Sequence, residues 1–315
     1  MAKEQSLLTP DIKALIGSEL TGDPDYIERN DIRYFAEAIR LPAPPKPVYH
    51  NEIYARDTRY GGMIAPPTFF TRLARRNGFP WAMALPQWLQ ERTAVGEAAE
   101  IEALHPLRPG DIIFTRGKVA NIYERPGREG RLIYLVRDFE FTNQLGQYVG
   151  KIRRTLVKFS ESLPYDRPDQ EAIAALNECK ASEKSPIKCY SQKLTLMQLN
   201  QFAGANREFG SYHMDREFAQ SLKLPDVLMI ETLKTAYVAN MLEDHFGENM
   251  FITKIATFFP VMDYVGDTLT GYGRVRRTDK RDGQVYVDVD IWMENQRGGI
   301  GTVGSATVVL PTNTY

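Results

Sequence analysis

Of the four histidines in the chain, His50, His105, His213 and His245, one has a carboxylate close by in a setting suited to chemistry. In the segment REFGSYHMDREFA, Glu208 stands five residues before His213, and Gly210 between them lets the backbone bend sharply. A carboxylate and an imidazole on one loop can share a single water. Adding that water to a carbon–carbon double bond needs one group to remove a proton and another to supply one, a pairing that contributes about 10² to 10⁴ in rate. Spacing alone also fits an ordinary surface pair, so the following segment matters.

That segment, LPDVLMIETLKTAYVANML, places Pro225 and Asp226 ahead of an apolar helix, and Asp226 is the expected N-cap. The free N–H groups of a first helical turn favour negative charge. A thioester carbonyl acquires such charge as an enolate when water adds to the neighbouring carbons, so the start of this helix is where an oxyanion site is expected. The side chain of Glu231 has two readings, a complement to the helix dipole or a working carboxylate. Further along, Arg274, Arg276, Arg277, Lys280 and Arg281 form a basic cluster. It reads either as a phosphate-binding patch or as a solvated strand and turn. Cys179 and Cys189 are the only cysteines, lie in a polar stretch without metal-ligand spacing, and read as idle reduced thiols. No metal site and no redox cofactor are expected.

The elements that must carry these residues announce themselves by repetition. RYFAEAIR, from Arg33 to Arg40, answers NQFAGANR, from Asn200 to Arg207, and each implies a short helix. Tyr49-His50 answers Tyr212-His213. Gly110-Asp111 answers Gly266-Asp267, and Asn143-Gln144 with Gly146 answers Asn295-Gln296 with Gly298, always in the same order. Val285, Val287, Val289 and Ile291 alternate with Tyr286, Asp288, Asp290 and Trp292, the period of a strand with one buried face. Pro126-Gly127 with Gly130, and Asp282-Gly283, read as hairpin turns. Thr195 with Gln198 has the spacing of a capping box. The expectation is an α+β chain of two tandem units, each an antiparallel sheet wrapped on a central helix, with the two sheets paired edge to edge. Residues 1–162 form the first unit, 163–188 a linker rich in Pro, Ser and charge, and 189–315 the second.

Composition narrows the function classes. With 39 Lys plus Arg against 40 Asp plus Glu in 315 residues, no global field calls for nucleic acid or an anionic membrane. Neither a secretory h-region nor an apolar membrane span stands out, which points to the cytoplasm.

At these motifs the chain resembles the MaoC-like (R)-specific enoyl-CoA hydratases and dehydratases, a family with a double hot-dog fold. The first unit, with DIRYFAEAI, PVYHNEIYARDTRYGGMIAPPTF and HPLRPGD, is similar to the family's accessory dehydratase domain. The second is similar to its catalytic hot-dog. The resemblance carries the family's catalytic Asp onto Glu208 and its His onto His213, while the Asn after the Asp becomes Gly210 and the helix-opening His-Gly becomes Ile230-Glu231, whose backbone it makes the expected oxyanion site. It implies reversible hydration of a 2-enoyl thioester of coenzyme A or an acyl carrier, and with coenzyme A as part of the substrate the basic cluster offers Arg274, Arg276 and Arg277 as candidate phosphate contacts. It also implies that the first unit is non-catalytic, its glycines in YGGMIAPP making room for a bulky acyl chain. Tyr237, Phe246, Phe251, Phe258 and Phe259 are either tunnel lining or core. The alternatives are a thioesterase in which Glu231 activates water, and an acyl-thioester-binding subunit without activity. A homodimer is compatible with either, although one chain already supplies two hot-dogs.

Overall fold

The structure is a computed structural model that describes residues 6–75, 85–90, 93–127, 130–159, 187 and 189–311. The expected linker lies almost wholly outside the described residues. The first unit enters through β1 (Glu19–Thr21), β2 (Asp25–Tyr26) and a helix over Arg29–Arg40. Helical residues follow over Glu52–Arg56, 70–75 and Gln87–Gln90, and then β3 (Thr93–Ala103), β4 (Ile112–Gly127), β5 (Gly130–Asn143) and β6 (Tyr148–Phe159). The second unit repeats the plan. It runs through β7 (Tyr190–Lys193), helices over Leu196–Asn206 and Arg216–Ser221, a central helix over Glu231–Phe246, and then β8 (Phe251–Phe258), β9 (Thr268–Arg281), β10 (Gln284–Asn295) and β11 (Ile300–Pro311).

The strands form one sheet of eleven, in the order β1-β4-β5-β6-β3-β8-β11-β10-β9-β7, with β2 alongside β4. The two halves of that order mirror each other about the β3–β8 seam. There Ala98 faces Phe258 and Ile101 faces Ile255 in an antiparallel register. The edge-to-edge pairing expected from the repeat is therefore a continuous hydrogen-bonded ladder.

The paired motifs are paired turns. Asn143 accepts from the N–H groups of Leu145 and Gln147, and Asn295 accepts from those of Arg297 and Gly299, while Gly146 and Gly298 take φ of 74° and 77°. Gln144 then accepts from the Ile112 N–H and Gln296 from the Thr268 N–H, which ties each hairpin to the strand before it. Asp111 and Asp267 likewise each accept from the N–H three residues upstream. These are Asx-type local bonds, in which a short side chain substitutes for a backbone acceptor in the turn. Asp282 and Gly283, with φ of 51° and 69°, turn β9 into β10, as expected of a two-residue hairpin.

The central helix is buried on nearly every side, so its polar residues need partners. Lys234 donates to the Val261 and Gly301 carbonyls and pairs with Asp263 at 2.7 Å. Thr235 bonds Thr257 across to β8, and Asn240 donates to the Ile39 carbonyl of the first unit. Tyr237 donates to Gln198 and is core, and none of the aromatic residues considered for a tunnel lines the site cavity described below. Thr195 caps its helix through the Gln198 N–H, but the Gln198 side chain reaches Leu41 and Tyr237 and does not close a capping box.

One expectation is corrected. Asp226 does not cap the central helix, which starts five residues later with Ile230 at its N-cap. The intervening run is held extended, with Leu228 bridging Tyr264, while Asp226 accepts from the Val227 N–H and pairs with Arg216.

Candidate active site

The helix Leu196–Asn206 ends on Arg207, which adopts the left-handed conformation at φ 56°, and this reversal swings the next residue inward. Glu208 is therefore buried, and the Ser211–His213 turn buries His213 beside it. The two residues line one cavity of about 270 Å³. Gly210 sits close under the His213 ring, where a Cβ would come within 3.1 Å.

The imidazole is oriented by its Nδ1, which lies 2.7 Å from the Leu228 carbonyl. A carbonyl can only accept, so the proton resides on Nδ1 and Nε2 keeps its lone pair. Burial pushes the His213 pKa down to about 4, against the opposing pull of Glu231 and the Leu228 carbonyl, so the ring is neutral near pH 7. Asn206 donates to Glu208 at 3.0 Å and accepts from Thr71 of the first unit at 2.7 Å.

The remaining groups come from the first unit, which sequence spacing could not relate to Glu208. Arg75 pairs with both Glu208 and Glu231, the latter at 2.9 Å, and Arg154 on β6 pairs with Glu231 as well. Burial alone would raise the Glu231 carboxyl, but Arg154 and Arg75 outweigh it and hold the group below the usual carboxylate range. Burial, reinforced by Arg75, lowers Arg154 to about 9 and Arg137 to about 10. The first unit is thus part of the site, and does not merely make room for it. The room it gives comes from Ala74, Leu85, Ala94, Leu135 and Leu156, whereas Met63, Ile64 and Ala65 of the glycine-rich segment are core.

Glu231 opens the central helix with its carboxylate close to Glu208 and His213. Its carboxylate accepts from its own backbone N–H and packs on β3 at Gly96, where a Cβ would collide with it. Neither Ile230 nor Glu231 is among the described lining residues of the cavity, whereas Arg75, Arg137, Lys158 and Arg207 are. Glu208, His213 and Glu231 bring three potential ligand atoms within 4.8 Å of one another. That set has the donors to hold a cation, but Arg75 and Arg154 already place positive charge against its carboxylates, and a metal ion would have to displace them.

The other candidates lie apart. Arg274 and Arg276 pair with Asp290, Arg277 pairs with Asp279, and none of the three lines the cavity. His50 turns its Nδ1 to the Lys46 carbonyl at 3.0 Å. Cys189 is exposed, and Cys179 lies outside the described residues.

Comparison with known proteins agrees with this architecture. Residues 14–151 match the family model described as FAS1-like, dehydratase domain region. A UPF0336 protein of Thermobifida fusca is 29% identical over 128 residues, which are 40% of this chain and 79% of that protein. A solved MaoC-like dehydratase superposes with a TM-score of 0.77 at 17% identity, over 95% of this chain and 99% of the other. One from Phytophthora capsici gives 0.67 at 16% identity, over 97% and 99%. A Mycobacterium tuberculosis protein described as having a double hotdog fold gives 0.63 at 10% identity, over 94% and 96%.

Proposed function

For a chain that matches the FAS1-like dehydratase region over its first unit and has the double hot-dog fold of MaoC-like dehydratases throughout, we propose reversible hydration of a 2-enoyl thioester. The observation that carries this reading is the meeting of Glu208 and a neutral His213, with Nε2 unprotonated, in one cavity. The two groups share one water. As its oxygen bonds to C3 of the substrate, a proton passes to the pair, and C2 receives a proton in return, giving the 3-hydroxyacyl thioester. Negative charge collects meanwhile on the thioester oxygen. With the Glu231 N–H engaged by its own carboxylate, Arg75 supplies the facing positive charge, a role worth several kcal/mol, about 2.7–4 for one well-placed donor.

Glu231 positions Arg75 and Arg154 in this reading. A thioesterase built on Glu231 is disfavoured because that carboxylate is held by both guanidinium groups and does not line the cavity. The deciding assay offers crotonyl-CoA and follows the enoyl absorbance together with free thiol. Loss of absorbance without thiol release is the expected result, while thiol release at the same rate would make the protein a thioesterase. Binding with neither signal would leave it an acyl-thioester-binding subunit.

A further inference from the structure

Asn206 closes the helix that precedes the Glu208–His213 pair, and its side chain is wholly enclosed. A buried amide is costly unless its groups are met. Its nitrogen donates to Glu208 Oε2 at 3.0 Å and to Thr232 Oγ1, in the first turn of the central helix, at 3.2 Å. A carboxylate only accepts, so the amide oxygen must face the other way. There the Thr71 hydroxyl of the first unit donates to it at 2.7 Å, sharing its proton with the Thr68 carbonyl at 2.9 Å. Thr232 Oγ1 lies 3.4 Å from the same Glu208 oxygen.

These contacts divide the two carboxylate oxygens. Oε2 is held by Asn206 and Thr232, which are fully buried and are not among the described residues lining the cavity. Oε1 pairs with Arg75, which is one of them. The terminal torsion of a glutamate has no sharp preference of its own, so the plane of this carboxylate is set by what binds it.

The repeat supplies an internal control. With Arg33 to Arg40 aligned on Asn200 to Arg207, Asn206 falls opposite Ile39 and Glu208 opposite Leu41, while Thr232 answers Thr68. Ile39 is core, and the buried Thr68 hydroxyl has no hydrogen-bond partner among the described residues. The amide is thus present only in the copy that carries the carboxylate. We propose that Asn206 is a positioning residue, which fixes the rotation of the Glu208 carboxylate and turns Oε1 toward the cavity. This rests on the hydration reading and adds to it a residue that acts through Glu208 without meeting the substrate.

Asn206→Ala should lower kcat for crotonyl-CoA by about 10²-fold, the cost of misplacing a reacting group by about an ångström, with KM little changed. Because a cavity in the core can itself unsettle the fold, the isosteric Asn206→Asp carries the sharper test. Two carboxyls at this distance hold one proton between them. The charged and titratable groups that face them are Arg75 of the first unit, Glu231 of the central helix and His213 of the same loop. Arg75 keeps the negative charge on Glu208, so the proton stays on the introduced carboxyl, which donates to Oε2 as the amide does. Once pH rises enough to remove that proton, the two groups repel and the placement is lost. The kcat/KM of Asn206→Asp should therefore recover toward acidic pH and fall on a basic limb where the unaltered protein stays level, whereas Asn206→Ala stays low throughout. Equal losses in both variants at every pH, or a change confined to KM, would overturn the proposal. Crystal structures of the unaltered protein and of Asn206→Ala read the placement without turnover. A Glu208 carboxylate rotated only in the variant, with no thioester turned over by either protein, would sink hydration alone. Hydration by both proteins with Glu208 unmoved would sink the positioning role alone.

Discussion

Glu208 and His213 are the pair on which the proposed hydration stands, and two measurements at their scale test it. Glu208→Gln and His213→Ala should each lower kcat by about 10² to 10⁴ with the fold intact by circular dichroism, and the double variant should lose little more. Additive losses would show that the two residues do not share a proton path. The second measurement is the pH profile. Because burial holds the imidazole at about 4, the basic form is present from mildly acidic pH upward, and kcat/KM should rise through about pH 4 and level off above it. A limb near 6.5 would mean that the ring is not desolvated in solution. Stability follows the same sign. Between about 4 and 6.5 the unfolded imidazole binds the proton that the folded one refuses, so this contribution grows as pH rises across that window. The pair itself was legible, because its members are close in sequence and a glycine lies between them. Arg75, Arg137 and Arg154 were missed because they reach the site through tertiary structure. A signal existed in LIYLVRDFEF and KIRRTL, where strand alternation assigns Arg137 and Arg154 to inward positions among Leu135, Phe139, Ile152 and Leu156.

At the scale of elements, the central helix fixes how strands and loops approach the site. Its first residue, Glu231, lies against β3 only because position 96 has no side chain. Gly96→Ala should cost about 1–3 kcal/mol in denaturant titration and lower turnover as Arg75 shifts with the displaced carboxylate. Unchanged stability and turnover would mean that Glu231 does not pack there. At the other end, Tyr49 of the first unit donates to Glu243, and burial raises that carboxyl from an ordinary 4.5 to about 7. The folded state then holds a proton that the unfolded state releases, so stability falls as pH climbs from about 4.5 to about 7. Glu243→Gln keeps an acceptor for Tyr49 and removes the ionisation, so its melting point should gain more over the unaltered protein at pH 8 than at pH 5. An equal change at both would place the carboxyl in contact with water. Such pairings explain where sequence reading fell short. The hairpins were readable because Asn143, Asp111 and their counterparts bond within a few residues, whereas the start of the central helix is set by the Leu228–Tyr264 bridge, a contact distant in the chain.

Taken whole, the molecule divides one site between two copies of one fold. The order of the repeats made the double architecture visible, but repetition implies symmetry and the site is asymmetric. Glu208 and His213 belong to the second unit, while Arg75 and Arg154 belong to the first. Arg75→Met should therefore lower kcat by about 10² although it lies in the unit that lacks the acid–base pair, with the larger effect on kcat than on KM if the cation serves the developing enolate. A change confined to KM would give it only a binding role.

The ends of the sheet have a consequence of another kind. Among the described residues β7 pairs with β9 from Thr268 to Gly271, Ile187 donates to the Gly273 carbonyl, and the rest of that long strand runs on past them. An uncovered strand is a template for the edge of another molecule, and flat apolar ones seed aggregates. Arg274, Arg276, Arg277, Lys280 and Arg281 all lie on this stretch, several half-balanced by Asp290 and Asp279. Their repulsion would keep a second copy from adding its own strand there. The basic cluster that stands out in a chain of nearly balanced charge then acts on colloidal behaviour, keeping the protein dispersed at high concentration, and its removal would be felt as fibres or precipitate.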